Sequence, residues 1–175
     1  SSNDLLYVDI NLNKGERFTN FYKTELPPSD KVWTLNVGDL DNDGFNEILF
    51  SGNSGGVRIH SAKAIVPEFE SYQLIENDVF AQGSSMYDVN RDGKLDYLLT
   101  NDIGENILYL NGSDHQLEES NLIDFTTSPI SDNSGNYSSI WFDADQDLDL
   151  DLFVSKCRVN AGDPSDPRRI NMLFI

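Results

Sequence analysis

One nine-residue pattern recurs three times along this chain, and each copy sets oxygen-bearing side chains at alternating positions. The copies are Asp39-Leu-Asp-Asn-Asp-Gly-Phe-Asn-Glu47, Asp88-Val-Asn-Arg-Asp-Gly-Lys-Leu-Asp96 and Asp143-Ala-Asp-Gln-Asp-Leu-Asp-Leu-Asp151. Self-similarity at intervals of about 50 residues is the mark of a repeat architecture. Before each copy lies a β-prone stretch (32–37, 84–87 and 139–142), and after each an apolar run (48–50, 97–99 and 152–154). The unit therefore reads as strand, acidic turn, strand.

The unit extends beyond the hairpin. Gly/Asn-rich turns at 51–56 and 101–106 precede further strand candidates at 57–60 and 107–110, and a stretch such as 70–75 closes the set. Four short antiparallel strands per roughly 50 residues is the spacing of a β-propeller blade, so the fold expected is all-β. Residues 5–10 and 17–22 read as the last two strands of an earlier blade, and 170–175 as a third strand. The expected division is 1–29, the end of a preceding blade; 30–78, a blade with the first loop; 79–130, a blade with the second; and 131–175, an incomplete blade with the third. About three and a half blades fall short of the usual ring of four to eight. The chain is thus read as part of a propeller, the alternative being a ring completed by a partner, with self-association through open blade edges. No stretch forms a long amphipathic helix, and prolines at 67, 129, 164 and 167 mark loops.

The loops carry the chemistry. Carboxylates at positions 1, 3 and 5 of a tight turn converge on one point, and Ca²⁺ takes six to eight oxygens. The expected ligands are the side chains of Asp39, Asp41, Asp43 and Glu47 with the carbonyl of Phe45; Asp88, Asn90, Asp92 and Asp96 with that of Lys94; and Asp143, Asp145, Asp147 and Asp151 with that of Asp149. Two to three Ca²⁺ ions are expected. Gly44 and Gly93 suit the turn because glycine tolerates positive φ, whereas Leu148 in the third copy does not. An EF-hand is excluded: its loop needs Glu at position 12 and flanking helices, and here position 12 is Phe50, Leu99 or Val154. The competing reading is a set of solvated turns without metal.

Thirty acids against twelve bases give a net charge of −18, and twelve of those acids sit in the three nonapeptides. Such a surface repels nucleic acid and anionic membranes and attracts cations. No apolar run reaches the roughly 18 residues needed to span a bilayer. The single cysteine, Cys157, forms no disulfide within the chain and leaves the compartment open. Free calcium is plentiful outside cells, so weak oxygen-rich sites point to a secreted or cell-surface protein.

The segments Val37-Gly-Asp-Leu-Asp-Asn-Asp-Gly-Phe-Asn-Glu-Ile48 and Met86-Tyr-Asp-Val-Asn-Arg-Asp-Gly-Lys-Leu-Asp-Tyr97 resemble FG-GAP/VCBS-type repeats, which build integrin-like β-propellers with Ca²⁺ in the hairpin loops. The segment 137–143, with 155–158 and 166–171, is similar to the cartilage-acidic-protein and ASPIC/UnbV-associated branch. The resemblance implies an extracellular module that contacts a protein or glycan in adhesion, and it implies no reaction.

The rival class is a propeller part of a secreted polysaccharide-active enzyme. His60 and His115 lack any catalytic context and read as surface residues. Cys157 reads as a buried small hydrophobe rather than a reactive thiol. Arg158, Arg168 and Arg169 read as partners of nearby acids rather than as a grip on an anion. Trp33 and Trp141 read as core between blades rather than as sugar platforms. Asn111-Gly-Ser113 and Asn136-Tyr-Ser138 are glycosylation sequons, relevant in a eukaryotic host.

Overall fold

The structure, a computed structural model, describes residues 6–13, 18–26, 32–53, 57–62, 69–75, 79–112 and 116–175. Among them every sheet is antiparallel and no α-helix occurs. Strands β1 (Leu6–Asn13) and β2 (Phe18–Leu26) pair with each other. A four-stranded sheet follows in chain order: β3 (Val32–Gly38), β4 (Glu47–Gly52), β5 (Val57–Ala62) and β6 (Phe69–Ile75). The next repeats it with β7 (Ala81–Tyr87), β8 (Asp96–Asn101), β9 (Ile107–Asn111) and β10 (Leu117–Ser120). The last holds β11 (Asn136–Phe142), β12 (Asp151–Lys156) and β13 (Met172–Phe174), with short 3-10 helices at Ile130–Asn133 and Pro167–Arg169. The all-β reading and the strand–turn–strand units stand, and each acidic nonapeptide joins the first two strands of its sheet. Among the described residues none of the sheets closes on itself, and no helix is long and apolar enough to cross a membrane.

The second strands of the two four-stranded sheets, β4 and β8, are apolar in succession because both of their faces are covered, whereas in β12 Phe153 and Ser155 stay half-buried. Tyr97 and Leu99 of β8 enter one core with Leu40, Leu49, Val57, Ile75, Val79, Ala81 and Tyr109. Leu98, pointing the other way, enters a second with Leu108, Phe125, Leu152 and Val154. The middle sheet is thus packed between its neighbours, and each fully buried leucine there contributes about 1.5–3 kcal/mol.

The first strands carry the contact between sheets. Alternation along β7 turns Ser84 and Met86 toward β3, and Gly83, Ser85 and Tyr87 toward β11. Ser84 hydrogen-bonds Thr34 and Asn36, and Met86 packs beside Gly38. On the other side Ser85 Oγ lies 2.8 Å from Ser139 Oγ and accepts from Trp141 Nε1 at 3.0 Å, while the Tyr87 and Trp141 rings stand 5.2 Å apart.

Four expectations change. Trp33 is not core: it is 47% exposed, with its ring edge against Phe80. Trp141 does pack against the second core. Cys157 is exposed rather than buried. Strand parity explains it, because Leu152, Val154 and Lys156 share the inward face of β12 and the cysteine follows the strand. Neither sequon offers a glycan acceptor, since Asn111 is 2% and Asn136 1% exposed. The Asn136 amide is held instead by the carbonyls of Asn101, Gly104 and Asn133. His60 stands on β5 opposite Ser71, and His115 and the turn at 54–56 lie outside the described residues. The arginines serve the fold: Arg168 grips Asp166, Arg158 lies 3.6 Å from Asp102, and Arg169 donates to the Ala161 carbonyl.

Candidate metal centre

Each loop leaves the sheet at the end of a first strand and returns at position 9, the first residue of the second strand. That residue is buried in all three sheets, as Glu47, Asp96 and Asp151. Its carboxylate accepts the N–H of position 2: Leu40 at 2.7 Å, Val89 at 2.8 Å and Ala144 at 2.6 Å. A buried carboxylate is costly unless hydrogen-bonded, so this bond fixes where the loop begins and ends.

The other acidic positions fold the loop around themselves. The position 1 carboxylate accepts the N–H of position 6, from Gly44 at 3.0 Å, Gly93 at 2.8 Å and Leu148 at 3.3 Å. Position 3 accepts from position 5, as Asp41 from Asp43, Asn90 from Asp92 and Asp145 from Asp147. Position 5 accepts from position 7, as Asp43 from Phe45, Asp92 from Lys94 and Asp147 from Asp149. Asx-turns of this kind let a short polar side chain stand in for backbone partners.

The winding needs two residues at positive φ. Position 6 is one, with Gly44 at 91°, Gly93 at 86° and Leu148 at 78°. Position 4 is the other, with Asn42 at 58°, Arg91 at 59° and Gln146 at 67°. Position 4 was not expected from the sequence, where asparagine in the first copy is the only local signal, since Asn tolerates this region better than most residues.

This scaffold gathers oxygens. Asp39, Asp41 and Asp43 bring carboxylate atoms within 4.8 Å of one another, and so do Asp143, Asp145 and Asp151. Asp39 Oδ1 is buried with no hydrogen-bond partner among the described residues. A buried carboxylate oxygen left bare is unfavourable, so this atom fits a cation in the loop. Glu47 stands behind that group with Oε2 on Leu40 N–H. In the second loop Asp88, Asn90 and Asp92 hold the equivalent places, while Asp96 uses both oxygens, on Val89 N–H and Asn111 N–H. Burial raises the Asp96 pKa, and burial together with neighbouring Asp147 raises that of Asp145. Asp149 turns its side chain outward to Arg91 at 2.6 Å, and Lys94 lies 3.6 Å from Asp92. These acidic groups could hold a metal ion.

No curated protein matches the chain. Residues 88–154, which run from position 1 of the second loop to the strand after the third, match the family model described as an FG-GAP-like repeat, and this supports an FG-GAP-type repeat protein.

Proposed function

We propose that this chain is a calcium-stabilised module of an extracellular β-propeller that binds a protein or glycan. The observation that carries the reading is the gathered oxygen set with Asp39 Oδ1 left unpartnered, on a scaffold repeated in three loops. Bound calcium would offset the repulsion among these carboxylates, and hard oxygen donors are what it prefers over softer metals. Asp39, Asp41 and Asp43, Asp88, Asn90 and Asp92, and Asp143, Asp145 and Asp151 are the residues to hold it. Calcium here is structural: it keeps first and second strands in register. Millimolar calcium outside cells suits such sites and supports the extracellular placement.

The propeller reading draws support from the stacking of sheets. Three residues before each loop stand Asn36, Ser85 and Ile140; Asn36 meets Ser84 and Ser85 meets Ser139, but Ile140 is exposed with Phe142. On the other side of the stack, Trp33, Leu35 and Val37 of β3 are exposed. Further sheets of the same kind on these two faces would continue the array and bury them. Membership of the cartilage-acidic-protein branch and the adhesive role rest on the sequence resemblance.

Thermal unfolding with excess Ca²⁺ and with chelator, beside elemental analysis, tests the reading. Two to three bound ions and a marked fall in melting temperature on chelation are expected. At free calcium about 100 times Kd, each ion adds about 2.7 kcal/mol. No bound metal and an unchanged melting curve would leave the loops as solvated turns. Calcium-dependent capture on immobilised glycans or matrix proteins then tests the binding role.

A further inference from the structure

We propose that Asn111 couples the first two acidic loops, so that filling one with calcium tightens the other; this rests on the calcium reading above. The connection is a chain of hydrogen bonds through the interior. Glu47 Oε2 accepts Leu40 N–H at 2.7 Å, and Leu40 C=O accepts Asn111 Nδ2 at 2.6 Å. The Asn111 backbone N–H donates to Asp96 Oδ1 at 2.9 Å, and Asp96 Oδ2 accepts Val89 N–H at 2.8 Å. Leu40, Glu47, Asp96 and Asn111 are all fully or almost fully buried, so water does not compete for these bonds. Position 2 and position 9 of one loop are thereby tied to position 9 and position 2 of the other.

Planar peptide units make the tie mechanical. The Leu40 carbonyl shares its peptide plane with the N–H of Asp41, so fixing one fixes the approach to an acid of the first loop. The Val89 N–H likewise shares its plane with the carbonyl of Asp88. A loop ordered around an ion holds its end of the chain still, and the second loop then has less disorder to lose on binding. Electrostatics alone acts the other way, because one bound cation repels the next. The sign of the coupling therefore separates the two causes.

The connection is not a by-product of the repeat. Pairing of Ile48 with His60 and of Tyr97 with Tyr109 puts Ala62 where Asn111 stands, and alanine has no side-chain donor. A second link, Asn42 Nδ2 to Gly93 O at 3.2 Å, is exposed and contributes less.

Calorimetric titration with Ca²⁺ tests this on the whole chain. One variant empties the second loop (Asp88→Asn with Asp92→Asn) and another the first (Asp39→Asn with Asp43→Asn); the third loop is common to all. Emptying either loop should weaken the other about fivefold, and equally in both directions. Adding Asn111→Ala should shrink that loss below twofold. An unchanged or tightened remaining site overturns the coupling, as does a coupling that survives Asn111→Ala. Circular dichroism checks folding, and should Asn111→Ala not fold, the sign read from the two emptied-loop proteins still decides. If wild type takes up no calcium, its isotherm shows that the calcium reading itself has failed.

Discussion

At position 6 of the third loop a leucine stands where the other two loops have glycine, with φ at +78° and the side chain 93% exposed. The apolar side chain gains nothing from burial there, while an L-residue in this region costs roughly 1–2 kcal/mol. Leu148→Gly should therefore stabilise the chain by up to about 1 kcal/mol, after the greater flexibility of glycine in the unfolded state is subtracted. Gly93→Ala should do the reverse by a similar amount, because a Cβ there meets nothing within 4 Å and only backbone strain is at issue. Denaturant midpoints in calcium decide both; a leucine variant that is no more stable than wild type would mean that Leu148 is held there by interactions worth its strain. The acidic spacing and the glycines were legible in the sequence because chemistry fixes them locally. The second positive-φ position was not, since Arg91 and Gln146 are residues that rarely adopt it and nothing in their identity announces the turn.

Strands were legible for the same local reason, and their partners were not. The runs after each loop announce strands buried on both faces, as Tyr97, Leu98 and Leu99 prove to be. Parity would have placed Lys156 inward and Cys157 outside, but the chemical character of cysteine argued the other way. The exposure of Trp33 and the burial of Asn111 depend on which sheet lies against which, and pairing across sheets leaves no mark within a single stretch of chain. Gly83 shows how close that packing is: a Cβ there would lie 2.7 Å from the Tyr137 carbonyl oxygen and 3.1 Å from Ser138 Cα. Backbone atoms cannot turn aside as a flexible side chain does, so β7 and β11 would have to separate. Gly83→Ala should cost about 2 kcal/mol by denaturant unfolding, in the range of overpacked cores. A cost below about 0.5 kcal/mol would mean that the two sheets slide freely at this seam.

The whole molecule carries −18 charges, and twelve of its thirty acids stand in three adjoining loops, two of which are bridged by Arg91 and Asp149. Self-repulsion on that scale opposes folding and has two possible remedies, general screening by salt and coordination by a bound ion. Their reach differs. Raising ionic strength from 0.1 M to 1 M shortens the screening length from about 10 Å to about 3 Å, which weakens repulsion between loops. Within one loop the gathered carboxylate atoms lie inside 4.8 Å, at the edge of what salt can screen, and a buried oxygen such as Asp39 Oδ1 is out of its reach. In chelator, 1 M KCl should therefore raise the melting temperature above its value at 0.1 M, yet leave it below that reached with a few millimolar Ca²⁺ at 0.1 M. Equality of the two treatments would reduce the loops to a screened patch of charge. A remaining gap in favour of calcium measures what coordination adds beyond charge, and that gap should shrink when Asp39 and Asp43 are both changed to Asn, because the oxygens stay while the charges that hold the ion are lost.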